Sequence, residues 1–311
     1  MDVGEKRHAD TLRMWLATKP TAWAQAIALR AALRALPSIA EAQQSWLRSF
    51  ALLPFGALVS SWIQITEPEI FVLTDETRSN ARFGGISFQF DHYKSESIAL
   101  FAAQASYHSA DAQSRSMLAI SDCIEAVISA ANALRYNERT INFALGMSTG
   151  ADTIFWDNIY TDCKIIDEID IKDPLEFLFV NRLWDPFSKA LTDSLSRRLK
   201  AKLLNIDPNY SVWIDWFERR IRGERAAFDI PGDKYRQEDK AILRRLAEAT
   251  NEDFWGKGHE YVNATLKAWL DEARARAAAN AAPDPPAGTE APVPPQDAGA
   301  IAYGINAEGK L

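Results

Sequence analysis

Cysteine and histidine are scarce in this sequence, with two and four residues respectively among 311. Cys123 and Cys163 are too few for the disulfide framework of a small secreted domain, and they lack the paired spacing of a zinc site. We therefore expect a protein of a reducing compartment that holds no metal and no cofactor.

An excess of basic charge is absent as well, since 35 Lys and Arg stand against 42 Asp and Glu. General binding to nucleic acid or to an anionic membrane requires a basic surface, so neither is expected. The opening residues, MDVGEKRHADTLRMW, contain no apolar run of the secretory type, which predicts a cytoplasmic protein. The longest uncharged stretch, residues 49–66, contains Pro54 and Gly56, and we interpret it as a buried core helix rather than a membrane span.

The positions of glycine and proline indicate a mainly α fold. Neither residue occurs in residues 86–145, and apolar side chains recur there three and four positions apart from Met117 to Leu134, as on one face of a helix. An Asp-Pro pair favours a helix start, and Gly223 is placed to end a helix that carries Trp213 and Trp216. The pairs are Asp173-Pro174, Asp185-Pro186 and Asp207-Pro208.

We therefore expect a multi-helix globular domain over residues 1–280, with a subdivision near 170–175. One small β-hairpin is expected near 70–90, from the apolar runs at Ile70 and Phe88. Residues 281–298 are rich in proline and alanine and predict a flexible, disordered linker. Residues 299–311 are too short to fold alone and are interpreted as the stub of a continuing segment. Capping-box spacing occurs at Ser38 and Glu41 and again at Thr250 and Asp253.

The segment Gly146-Met147-Ser148-Thr149-Gly150 has the G-x-S-x-G spacing of a nucleophile elbow, in which glycines permit the turn that exposes the serine. The strand–helix alternation of an α/β hydrolase is missing, and the only histidine downstream is His259. The alternative interpretation, which we prefer, is a turn between helices or a helix end flanked by glycine.

A second group, formed by Asp91, His92, His108 and Asp111, is the one cluster of histidines and carboxylates in the sequence. His108 and Asp111 would share a helix face at a spacing of three, so a metal or hydrolytic site is one hypothesis. Polar surface positions explain the same residues without a ligand. We expect no metal here.

Residues 197–225 form a basic block that could meet a phosphate backbone or an acidic partner, although solvated helix faces are the commoner explanation of such a block. Its members are Arg197, Arg198, Lys200, Lys202, Arg219, Arg220, Arg222 and Arg225.

Several segments of the chain resemble an uncharacterised family of bacterial helical modules. The resemblance is carried by Trp213, Trp216 and Gly223, by the later EDFWGKGHEYVNATLKAWL, and by AIALRAALRALP, FWDNIYTDCKIID and LWDPFSKALTDSL. It touches most of residues 20–270. It implies a module that precedes further sequence, and it implies no activity, cofactor or catalytic residue.

The sequence thus favours a non-enzymatic interaction or sensing module of a larger bacterial protein, which presents a helical surface to a protein partner. The alternative is a small hydrolase that uses Ser148 or a site at His92 and His108. A third hypothesis is weak binding of nucleic acid or of an acidic partner through the basic block.

Overall fold

The computed structural model describes residues 3–72, 108, 119–145, 151–168, 173–180, 183, 189–233, 236–249 and 252–281. These residues are helical or lie in turns between helices, and no strand occurs among them. The α-helices are α1 Val3–Leu16, α2 Thr21–Ala35, α3 Gln44–Phe50, α4 Leu52–Thr66, α5 Pro68–Val72, α6 Ala119–Leu145, α7 Ala151–Glu168, α8 Pro174–Val180, α9 Lys189–Ile206, α10 Ser211–Arg222, α11 Gln237–Glu248 and α12 His259–Ala281. Short 3-10 helices occur at Leu36–Glu41, Pro208–Tyr210 and Trp255–Lys257.

Helix α2 lies at the centre of the fold and is buried on every side. It packs most extensively against α6, and it also contacts α1, α4, α7, α8 and α10. Its sequence, TAWAQAIALRAALRA, is rich in alanine, which lets neighbouring helices approach closely. Its two charged residues, Arg30 and Arg34, are buried as well, so both the apolar and the polar faces of α2 lie in the interior. Helix α2 is therefore the element around which the others assemble.

The predicted helical fold class is confirmed, and several predicted ends are found where the sequence placed them. Helix α8 begins at Pro174, and the side chain of Asp207 accepts a hydrogen bond from the backbone N–H of Asn209 at the start of Pro208–Tyr210. Helix α10 ends at Gly223, whose φ of 70° is the left-handed conformation that glycine adopts without steric cost. Asp185 and Pro186 lie outside the described residues.

Two local predictions are corrected by the structure. Ile70 is part of helix α5, so no strand begins there; the remainder of the predicted hairpin, from residue 73 onward, lies outside the described residues. Ser38 does not cap a helix, because it lies inside the 3-10 helix Leu36–Glu41, which continues directly from α2, and it is fully buried. Thr250 lies outside the described residues, whereas Asp253 lies in the turn before Trp255.

Helix α4 is a core helix, as predicted from residues 49–66, since most of its side chains are buried. Within the described part of the chain, no single helix has both the length and the apolar composition to cross a membrane. Helices α3 and α4 meet those criteria only when taken together, and they are bent by 42° relative to each other.

Candidate functional site

The structure describes only one member of the two catalytic groups considered from the sequence. His108 is helical and half-buried. Ser148, His92, Asp91 and Asp111 lie outside the described residues, so the hydrolase hypothesis is not tested. Among the residues that are described, no group of three or more His, Cys, Asp or Glu side chains is arranged to hold a metal ion.

The basic block of residues 197–225 is divided between α9, α10 and the turn that follows α10. On α9, Arg198 pairs with Glu41 at 2.6 Å and Lys200 pairs with Glu218 at 3.0 Å, while Lys202 donates to the carbonyl of Ala42. Arg197 donates to the carbonyl of Asp193 in its own helix. These four side chains therefore make bonds within the fold, which weakens the positive field they could offer a ligand.

On α10 the arginines are also engaged. Arg219 pairs with Asp215, Glu224 and Asp229, and Arg222 pairs with Glu224. Arg225 follows in the turn and is also bonded. Binding of nucleic acid or of an acidic partner by this block stays a prediction.

Arg220 is the one buried member of the block. Its guanidinium carbon lies 3.9 Å from the centre of the Trp62 ring, and one nitrogen donates to the carbonyl of Ala226. Burial lowers the pKa of Arg220 to about 9, against the opposing charge of Asp239. This geometry is a cation–π contact that joins α10 to α4, so Arg220 acts on packing rather than on a surface ligand.

A groove with aromatic walls lies between α11 and α12, and we call it the α11–α12 groove. It encloses a cavity of about 300 Å³. Its walls combine aromatic rings with charged groups at the rim, which is the composition of many ligand and peptide sites. The lining residues are Arg245, Glu248, Ala249, Asp253, Phe254, Tyr261, Thr265 and Trp269.

Three aromatic side chains define the floor and one wall of this groove. Phe254 and Trp269 stack with ring centres 5.2 Å apart and an interplanar angle of 12°. Tyr261 is 48% exposed, although large apolar side chains are usually covered in this fold. Tyr261, Thr265 and Trp269 are spaced four residues apart, so they form one continuous stripe along α12. A second stripe on the same helix, including Val262 and Leu266, faces the core.

Arg245 covers one edge of the groove from α11. Its guanidinium carbon lies 5.4 Å from the Trp269 ring centre, and its Nη1 lies 3.6 Å from the carboxylate of Glu272. The side chain stays about 42% exposed while making both contacts. Arg245 is thus oriented by Trp269 and Glu272, yet it keeps donor groups that face solvent.

A hydrogen-bonded cluster fixes the start of α11 and so positions the groove. Asp233 accepts from the backbone N–H groups of Gln237 and Asp239, as a helix cap does. The buried carboxylate of Asp239 accepts from the N–H groups of Ala227 and Phe228 at 3.0 and 2.9 Å.

Arg236 joins this cluster to the core. It adopts φ of 57°, which is unusual for a residue other than glycine, and it pairs with both Asp239 and Glu67. Lys240 pairs with Glu67 at 2.8 Å, and this bond raises the pKa of Lys240. Glu67 follows α4 directly, so these ion pairs anchor the start of α11 to the end of α4.

A buried polar chain supports α12 from below. Trp213 donates from its indole nitrogen to the side chain of Asn263 at 2.8 Å, and Asn263 donates to the carboxylate of Asp207 at 2.8 Å. All three residues are buried. Helix α12 begins after Gly258, whose φ of 88° and ψ of 164° are accessible essentially to glycine alone. The groove therefore rests on a rigid base.

A second cluster of deeply buried charges lies away from the groove, at the interface of α2 and α7. Asp162 accepts two hydrogen bonds from Arg30, at 3.0 and 2.9 Å, and one from Arg34, at 2.6 Å. Burial would raise the pKa of Asp162, but the charges of Arg30 and Arg34 outweigh it, and the pKa is lowered. Arg34 also donates to the carbonyl of Leu183. This cluster ties α2, α7 and the segment after α8 together.

The sequence had not singled out the groove residues Arg245, Phe254, Tyr261 and Trp269 as a site. The available signal was the spacing of Tyr261, Thr265 and Trp269, which marks a second apolar stripe on α12 beside the one that faces the core. Comparison of the chain with protein-family models, with curated protein sequences and with solved structures finds no match.

Proposed function

We propose that this chain is a non-enzymatic interaction module of a larger bacterial protein, and that it binds a segment of a protein partner in the α11–α12 groove. The observation that carries the proposal is the half-exposed Tyr261 beside a cavity of about 300 Å³ whose floor is the stacked pair Phe254 and Trp269. Tyr, Trp and Arg side chains contribute most often to the binding energy of protein interfaces, and all three types line this groove.

The chemistry of the groove favours binding over catalysis. Among the described residues that line it, there is no histidine, serine or cysteine, and the carboxylate residues Glu248 and Asp253 are exposed to solvent. Phe254 and Trp269 are held by their stacking and by the cation–π contact of Arg245, so these two rings lose little side-chain freedom when a partner binds.

Site-specific photo-crosslinking in the cells that naturally make the protein tests the proposal. A benzophenone amino acid replaces Tyr261, which keeps an aromatic ring in the groove. The control carries the same group in place of Met14, which is 67% exposed on α1. We expect position 261 to crosslink one defined protein and position 14 to give no such product.

A pair of adjacent arginines then ties the crosslink to the groove. Arg245 lines the groove, whereas Arg244 is exposed and does not. In the background of Arg245→Ala the yield at position 261 should fall, and in the background of Arg244→Ala it should be unchanged. Equal yields in the two backgrounds, or the same products from positions 261 and 14, would contradict the proposal.

A further inference from the structure

We infer that the proline-rich segment of the same chain, residues 283–295, binds in the α11–α12 groove and competes there with the partner. The inference rests on the proposed function, because it concerns the regulation of that same groove. Two observations support it, the sequence of the segment and its distance from the groove along α12, and its charge is compatible with it.

The sequence of residues 283–295, PDPPAGTEAPVPP, contains six prolines. Such a segment favours the extended polyproline II conformation, in which little backbone freedom remains to be lost on binding. Aromatic-lined grooves are a recurring binding site for this conformation, because proline rings pack on aromatic faces. The stripe of Tyr261 and Trp269, beside Phe254, is a surface of this kind.

The length of the segment matches the distance it must cover. Helix α12 ends at Ala281, which is 12 residues beyond Trp269 and 20 beyond Tyr261. At about 1.5 Å per helical residue, these separations are roughly 18 and 30 Å. A polyproline II strand that rises about 3.1 Å per residue crosses them in roughly 6 and 10 residues. A chain that reverses over residues 282–284 would therefore bring residues 291–295 level with Trp269 to Tyr261.

The charge of the segment is compatible with the same register. Residues 282–297 contain Asp284, Glu290 and Asp297 and no basic residue. Residues 291–295 carry no charge, so they would meet no repulsion beside the groove carboxylates of Glu248 and Asp253. Asp284 and Glu290 would pass Arg276 and Arg245, whose attraction is weakened because Glu238 and Glu272 already pair with them.

Attachment to the same chain makes even a weak contact effective. A tethered segment acts at an effective concentration on the order of 1 mM. If the free segment bound with a Kd of about 0.1 mM, the tethered one would occupy roughly nine-tenths of the grooves, and a partner would bind roughly tenfold more weakly than to an empty groove.

A nitroxide spin label on the full chain tests this contact. The variant Val293→Cys is labelled selectively, because Cys123 and Cys163 are buried. The indole N–H signal of Trp269, identified by its loss in Trp269→Phe, should be broadened by the label. Replacing Pro292, Pro294 and Pro295 together with alanine should restore the signal. Replacing Pro283, Pro285 and Pro286 together is the matched control and should restore it much less.

A mixture of two chains separates binding within one molecule from binding between two. One chain carries the spin label at residue 293 and no isotope, and the other carries the isotope and no spin label. Broadening of Trp269 in the mixture as strong as in the sample where each chain carries both labels would overturn the inference, and so would a Trp269 signal that the label leaves unchanged. If the crosslink at position 261 succeeds while the label has no effect, this inference fails and the proposed function stands. If the label broadens Trp269 and no partner crosslinks, the groove serves its own chain and the proposed function fails.

Discussion

Replacing Asp162 with asparagine removes the charge that holds Arg30 and Arg34 in the core. The carboxylate accepts three charge-assisted hydrogen bonds, and all three side chains are at most 3% exposed. Loss of one member of a buried ion cluster typically costs about 3–5 kcal/mol, because the remaining charge stays buried without compensation. For a domain of this size each kcal/mol lowers Tm by about 2–4 °C, so we expect a fall of about 6–20 °C.

Thermal unfolding followed by circular dichroism measures this change. Asp271→Asn is the matched control, since Asp271 also pairs with two cations, Lys267 and Arg274, but is half exposed. Both pairs lie within α12, where an exposed pair contributes about 0.3–0.5 kcal/mol, so the loss of the two should lower Tm by less than about 4 °C. Equal losses of Tm in the two variants would refute the argument that Asp162 compensates buried charge.

The pH dependence of Tm, compared between wild type and Asp162→Asn, gives a second readout. Because the native pKa of Asp162 is lowered, the ionised carboxylate stabilises the fold at pH values above about 4, the ordinary pKa of aspartate. That contribution is lost as the pH falls through the native pKa. The difference in Tm between wild type and Asp162→Asn should therefore narrow below about pH 4. A difference that stays constant down to pH 3 would contradict the assigned cause.

Two further substitutions probe the base of the groove. Asn263→Ala leaves the buried indole N–H of Trp213 and the carboxylate of Asp207 without their shared partner. Urea unfolding should therefore show a loss of about 2–4 kcal/mol in the free energy of unfolding. A loss under about 1 kcal/mol would show that the fold does not need these two hydrogen bonds. Gly258→Ala introduces a Cβ that meets no atom within 4 Å but places alanine at a φ of 88°. The same assay should show a loss of about 1–3 kcal/mol from backbone strain alone. An unchanged free energy of unfolding would contradict this, because it would mean that the turn changes conformation to relieve the strain.

Helix positions followed from the sequence where a local signal fixes them. Helix α10 ends at Gly223 because glycine adopts the left-handed φ of a helix end without a steric cost. Helix α8 begins at Pro174 because the proline ring holds φ near its helical value. Ile70 shows where such signals fail. Its short apolar run, IFVL, fits a strand or a buried helical turn equally well, and the packing of α5 against α4 and α11 selects the helix.

The buried charges and the groove could not be located from the sequence, because both depend on contacts between distant segments. Arg30 and Arg34 are spaced as in any amphipathic helix, and only the approach of Asp162 from α7, about 130 residues away in the chain, makes them core residues. Tyr261 and Trp269 were readable as a helical stripe. That the stripe stays partly open depends on where α11 lies, and the start of α11 is fixed by Asp239 and Glu67 through Arg236.

The affinity of the crosslinked partner for Tyr261→Ala tests the central claim most directly. Tyr261 is half exposed, so its truncation should change Tm little. A residue at the centre of an interface typically contributes at least about 2 kcal/mol, so Kd should rise roughly 30-fold. Met14→Ala, at the exposed position on α1, should leave Kd as in wild type. A Kd unchanged by Tyr261→Ala would contradict the assignment of the α11–α12 groove as the binding surface.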